Sequence, residues 1–205
     1  CGYKGYMLKE DFSNYFLHMS DITFDMRSNA MNVHQKKAEP WKVTLVDTGE
    51  STMTGGRLKR IQKYLSKDKS FCLTYGDGLA NVNISKLIDF HKSHNKLATL
   101  TAVRPPGRYG ALNISDDHSI LEFSEKTESV NSWINGGFFV VNSPALNKIK
   151  GNKTSWEIDV LNILSKDAQL SAYKHHGFWQ SMDTLREKNL LNSLWEKGKA
   201  PWKNW

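Results

Sequence analysis

Phe71-Cys72-Leu73-Thr74-Tyr75-Gly76-Asp77-Gly78 is the stretch on which the reading of the fold turns. An apolar run of strand length stops in a turn that carries one carboxylate between two glycines. The next stretch, 84–94, has helical spacing, with Ile84, Leu87, Ile88 and His91 at i, i+3, i+4 and i+7, and Asn83 stands where it can cap that helix. Segment 96–103 is apolar again and predicts a second strand. Strand, polar turn, amphipathic helix, strand is the rhythm of an α/β domain with a largely parallel sheet.

The same rhythm continues outward. Upstream, 43–46 predicts a strand and 56–65 a helix with Leu58, Ile61 and Leu65 on one face. Downstream, 109–115 and 119–125 predict a hairpin around Asp116-Asp117-His118, followed by a strand at 133–141, a helix at 155–164 and a strand at 170–173. A final helix follows Gly177-Phe178-Trp179-Gln180. At the amino end Met7, Leu8, Phe12, Tyr15 and Phe16 recur at helical spacing, which predicts the end of a strand and its following helix. Repeats, low-complexity tracts and linkers are absent, so residues 1–205 read as one domain.

Composition narrows the function classes. The 28 Lys+Arg outnumber the 21 Asp+Glu for a net charge of +7, which suits an anionic partner. The basic residues are mixed with acids and dense only around 57–60 and 197–203, the pattern of a solvated face rather than a nucleic-acid surface. No apolar stretch is long enough to span a bilayer. Two cysteines make no disulfide framework, and Cys72, inside an apolar run, reads as a small buried thiol in a reducing, cytoplasmic setting. Cys1 would suit the first residue of a mature lipoprotein, but no spacer separates it from the helical pattern.

In open parallel sheets ligands bind beyond the carboxyl ends of the strands. Asp77 stands at such an exit, either as a Mg²⁺ ligand between glycines that let phosphates approach or as part of a plain Asp-Gly turn. Asp183 either caps the last helix or is free to face outward, because Thr184 and Glu187 have capping-box spacing without it. Ser51-Thr52-Met53-Thr54-Gly55-Gly56-Arg57 is a hydroxyl- and glycine-rich helix entry, suited to a phosphate or a base edge or serving as a capped turn. Two glycines inside strand 133–141, Gly136 and Gly137, weaken it unless a ligand or another backbone comes close. Glu125-Lys126 and Trp156-Glu157 offer a cation for phosphate and a carboxylate for hydroxyls, or plain surface polarity. His91, His94, His175 and His176 lack a matching Cys/His set for zinc, and His91 falls on the buried helix face.

Taken together, Asp47-Thr48-Gly49, Ser51 through Leu58, Thr74-Tyr75-Gly76-Asp77-Gly78, Pro105-Pro106-Gly107-Arg108, Ile134-Asn135-Gly136-Gly137-Phe138-Phe139, Gly177-Phe178-Trp179-Gln180 and Leu194-Trp195-Glu196-Lys197-Gly198-Lys199-Ala200-Pro201-Trp202 resemble the sugar nucleotidyltransferases, and among them those that join CTP to glucose 1-phosphate. The resemblance implies a Rossmann-like fold with a mixed, mostly parallel sheet flanked by helices. It implies formation of CDP-glucose and pyrophosphate, in supply of nucleotide sugars for surface polysaccharide, by a homo-oligomer with no nucleic-acid or membrane partner. By resemblance, Asp77 and Asp183 hold Mg²⁺; Thr52, Gly55, Gly56, Arg57 and Gly76 meet the cytidine; Lys126 meets the sugar phosphate, with Thr127 where the family carries proline. Asn135, Gly136 and Glu157 face the glucose hydroxyls. The family's opening glycine-rich βα unit has no counterpart in these residues, so the resemblance also implies that residues 1–205 by themselves lack the triphosphate cradle and do not turn over.

Overall fold

The computed structural model describes residues 1–36, 38–65, 69–105, 111–114, 120–124 and 133–204. The chain divides into two compact units, Cys1–Tyr64 with Ile149–Glu157, and Leu65–Lys148 with Ile158–Trp205.

In the first unit, helix α1 (Gly5–His18) leads into an antiparallel hairpin of β1 (Ser20–Asp25) and β2 (Ala30–Lys36). No residue of α1 is buried, although its apolar residues have the spacing read from the sequence. Residues 43–46 form no strand. They carry only the end of a short bracket, in which the Cys1 ammonium donates to Val46 O at 2.8 Å and Thr48 N–H to Cys1 O at 2.8 Å. A β-rich sequence without a ladder partner forms no strand. Helix α2 (Thr54–Leu65) follows, two residues longer at its start than its apolar pattern indicates. Its first turn packs on the strap Ile149–Glu157 of the same unit.

The second unit holds the sheet. Strands β3 (Ser70–Thr74), β5 (Ala98–Val103), β8 (Ile134–Asn142) and β9 (Leu170–Lys174) lie in the order β3-β8-β5-β9. Strands β3, β5 and β9 run the same way; β8 opposes them, so the sheet is mixed, and among the described residues its one parallel pairing is β5 with β9. A second ladder pairs β4 (Gly78–Ala80) with β10 (Trp179–Ser181). The hairpin read from the sequence is present as β6 (Ala111–Ile114) and β7 (Ile120–Ser124), antiparallel; its connecting residues 115–119 lie outside the described residues. Helix α3 (Ile84–Lys92), capped by Asn83 accepting from Lys86 N–H, lays Leu87 against Val82 and Val140 with Ala80, Ile88, Phe138 and Tyr173 around them. The helix expected at 155–164 is instead a π-helical segment, Trp156–Leu161, running into α4 (Asn162–Lys166). Helix α5 (Leu185–Glu196) closes the unit.

Cys72 is exposed rather than buried. Strand β3 alternates, and Phe71 and Leu73 take the more covered side while Cys72 and Thr74 face outward from a strand with one described neighbour. Cys72 borders an open apolar hollow of about 190 Å³ beside Leu73, Ile84, Leu87 and Phe138, and partial desolvation there pushes its thiol pKa up. Among the described residues, no helix is long and apolar enough to cross a membrane.

Candidate active site

Asp77 and Asp183 are brought together in the second unit. The β4–β10 register pairs Ser181 with Gly78, and one step further Met182 N–H donates to Asp77 O at 2.8 Å. Both aspartates are exposed, and neither carboxylate has a hydrogen-bond or ion-pair partner among the described residues. The last helix is capped without Asp183. Thr184 Oγ1 accepts Glu187 N–H at 3.3 Å, while Glu187 Oε2 accepts the N–H groups of Thr184 and Asp183, each at 2.9 Å. The helix therefore holds the Asp183 backbone and leaves its carboxylate for other work.

Gly76, exposed in the turn before Asp77, would accept a Cβ with nothing within 4 Å, so at this position the glycine relieves no contact with the protein. Gly136 is different. A Cβ there would lie 2.7 Å from Val103 Cγ1 and 3.0 Å from Thr101 O, so the close approach in β8 is to strand β5. Gly137, at φ +79°, turns its N–H to Asn135 Oδ1 at 2.9 Å and its C=O to Tyr75 N–H at 3.2 Å. Asn135 Nδ2 donates to Tyr75 Oη at 3.2 Å, and Trp179 Nε1 donates to Gly136 O at 2.8 Å. Asn135 and Gly136 are thus tied to the strand exits that carry Asp77 and Asp183.

The remaining described candidates lie in the first unit. Thr52 is buried, and Arg57 donates from Nη1 to Thr48 Oγ1 at 2.7 Å and from Nη2 to Glu50 O at 3.0 Å, bracing the loop before α2. Gly55 and Gly56 are buried against the strap: a Cβ on either would meet Thr154 O at 2.8 Å or Asn152 O at 2.6 Å, and Gly56 N–H donates to Thr154 O at 3.1 Å. Their bareness admits the protein's own backbone. Glu157 Oε2 accepts from Thr54 Oγ1 at 2.6 Å and from Ser155 Oγ at 2.9 Å. Lys126 and its neighbours Glu125 and Thr127, with Pro106, Gly107 and Arg108, lie outside the described residues.

His91 is a core histidine, 4% exposed and bonded at both ring nitrogens, to Thr99 Oγ1 at 2.9 Å and Asn142 Oδ1 at 3.0 Å. Two features escaped the sequence reading. One is the partner of the Thr54 hydroxyl, which the sequence placed in a hydroxyl-rich helix entry without indicating that it would meet Glu157 and Trp156. The other is Trp133, whose ring carries Arg104 at 4.8 Å and Lys174 at 5.6 Å from its centroid, with His176 edge-on at 5.2 Å. Basic residues at the close of two strands, Arg104 just past β5 and Lys174 at the end of β9, were the available signal for the second.

The Nucleotidyl transferase family model matches residues 7–187. Glucose-1-phosphate cytidylyltransferase of Salmonella typhi is 57% identical over 205 residues, which are 100% of this chain and 79% of that protein. A probable glucose-1-phosphate cytidylyltransferase of Bacillus subtilis (strain 168) is 37% identical over the same share of each. Among solved structures, HddC from Yersinia pseudotuberculosis aligns at a TM-score of 0.60 with 20% identity, over 92% of this chain and 73% of that one, and so shares the fold. End-to-end similarity of this order, on a mixed α/β sheet with paired aspartates at its strand exits, places the chain in the nucleotidyl transferase family, alongside the glucose-1-phosphate cytidylyltransferases.

Proposed function

We propose that the protein transfers the cytidylyl group of CTP to α-D-glucose 1-phosphate, giving CDP-glucose and pyrophosphate. The observation that carries this reading is the juxtaposition of Asp77 and Asp183 through the Met182 N–H to Asp77 O hydrogen bond at 2.8 Å. Two exposed aspartates, one of them next in sequence to the other's backbone partner, offer a donor set suited to Mg²⁺, which keeps several waters and takes one or two carboxylates beside substrate phosphates. When bound, Mg²⁺ would neutralise charge on the α-phosphate during in-line attack by the sugar phosphate. The protein's own share is positioning. Thr52, Gly55, Gly56, Arg57 and Gly76 are assigned to the cytidine side and Lys126 to the sugar phosphate. Asn135, Gly136 and Glu157 are assigned to the glucose hydroxyls. The choice of CTP and glucose 1-phosphate is supported by the names of the Salmonella and Bacillus relatives. The family match crosses both compact units, which supports one nucleotidyltransferase domain over the whole chain.

The test is pyrophosphate release with glucose 1-phosphate, Mg²⁺ and each of CTP, UTP, dTTP, ATP and GTP, using protein expressed from the complete reading frame that encodes these residues. CTP should lead in kcat/KM by at least ~100-fold, because a site that pairs with a base edge leaves polar groups unmet when the edge changes. Equal use of UTP would overturn the assignment of the base.

A further inference from the structure

Thr54 opens α2 with its hydroxyl engaged twice: it donates to Glu157 Oε2 at 2.6 Å and accepts Trp156 N–H at 2.9 Å. A hydroxyl has one proton, so with the carboxylate and the amide as partners the directions are forced. Ser155 Oγ adds a second donor to the same Oε2 at 2.9 Å. Bonds from hydroxyl to carboxylate are charge-assisted, and two on one oxygen restrict where the carboxylate can point. The backbone behind it is equally constrained. Met53 N–H donates to Asn152 O at 2.9 Å and Gly56 N–H to Thr154 O at 3.1 Å. A Cβ on Gly55 would stand 2.8 Å from Thr154 O, so the strap sits as close to the helix entry as backbone allows.

We infer that Thr54 is a positioning residue for the sugar substrate, a latch that aims the Glu157 carboxylate and ties it to the first turn of α2. The inference rests on the assignment of Glu157 to the glucose hydroxyls and goes beyond it, since the Thr54 hydroxyl is taken up by Glu157 and Trp156 and acts through the carboxylate. The latch joins two segments assigned to different ligands, because Thr52, on the cytidine side, stands two residues before Thr54. Its loss leaves Glu157 charged and present but less tightly aimed, with the Ser155 hydroxyl still on the same oxygen. The expected consequence is poorer capture of glucose 1-phosphate with CTP capture nearly unchanged.

The experiment measures KM for both substrates in wild type, Thr54→Val, Thr54→Ser, Ser155→Ala and Glu157→Gln, in the protein from its complete reading frame, with circular dichroism and thermal unfolding as fold controls. Thr54→Val should raise KM for glucose 1-phosphate ~10-fold and KM for CTP less than ~2-fold, as expected when a charge-assisted bond is lost on one ligand's side only. Thr54→Ser, which keeps the hydroxyl, should return both constants to within ~2-fold of wild type, and Ser155→Ala should move the sugar KM in the same direction by less. If Thr54→Val does not fold, Thr54→Ser against Ser155→Ala carries the comparison. A folded Thr54→Val with an unchanged sugar KM, or with both KM values raised equally, overturns the latch while a large Glu157→Gln effect leaves the sugar assignment standing. A flat Glu157→Gln overturns both.

Discussion

His94 has its protonation state written by its neighbours. Its Nδ1 accepts Lys96 N–H at 3.2 Å, so Nε2 carries the proton and donates to Thr99 Oγ1 at 2.9 Å. The Thr99 hydroxyl then donates to His91 Nδ1, His91 Nε2–H to Asn142 Oδ1, and Asn142 Nδ2 to Lys96 O at 3.0 Å, a closed circuit of five hydrogen bonds. A second proton on His94 would set a donor against the Lys96 N–H. Desolvation, then the neighbouring His91 and Lys96, hold the His94 pKa below its ordinary 6.5. In the unfolded chain the ring titrates at the ordinary value, so the unfolded state binds more protons as pH falls through 6.5. Stability from this group is therefore complete above 6.5 and lost as pH drops below it. Unfolding free energies of wild type and His94→Gln between pH 8 and 5 should show a steeper acid-side fall in wild type; parallel curves would count against the circuit. The packing role of His91 was legible from its place on an apolar helix face. The circuit was not, since Thr99 and Asn142 reach it only through the pairing of β5 with β8.

At the scale of elements, the α5 terminus separates two duties that the sequence left entangled. Thr184 and Glu187 make the cap, and Asp183 contributes only its N–H. Thr184→Ala should therefore cost ~1 kcal/mol of stability, while Asp183→Asn should stay within about 0.5 kcal/mol, read by denaturant unfolding. The reverse order would return Asp183 to the cap. Helices were the most readable elements, because Leu87 and its i±3, i±4 neighbours mark a core face whatever the sheet does. The β1–β2 hairpin went unread. Its signal was the turn at Asp25, whose carboxylate accepts Arg27 N–H and Ser28 N–H, with Asn29 at φ +52°. Its exposed Phe24 and Met31 gave no clean alternation of apolar and polar residues. The direction of β8 was unreadable for another reason: strand polarity depends on which neighbours a strand finds, and β8 enters between β3 and β5 after both have formed part of the chain.

Over the whole molecule, three strands end at one edge of the sheet and the fourth begins there. Asp77 follows β3, Arg104 follows β5, Lys174 ends β9, and Asn135 and Gly136 start β8. The β4–β10 ladder adds Asp183 to that edge. Charged and polar groups gather at the strand exits because the strands themselves are filled by residues such as Ala98, Val103, Phe139 and Val141. The aspartates could be picked out singly from the sequence, as a turn and a helix entry. Their adjacency entered only through the family resemblance, because the residues by themselves do not reveal a ladder that joins 78–80 to 179–181. The most direct test of the account is kcat for CTP and glucose 1-phosphate with saturating Mg²⁺ in Asp77→Asn and Asp183→Asn, each shown to be folded. If the two aspartates hold Mg²⁺ as proposed, the account predicts that each substitution lowers kcat by at least ~100-fold by taking a ligand from the ion. Near-normal turnover in either folded variant would contradict it.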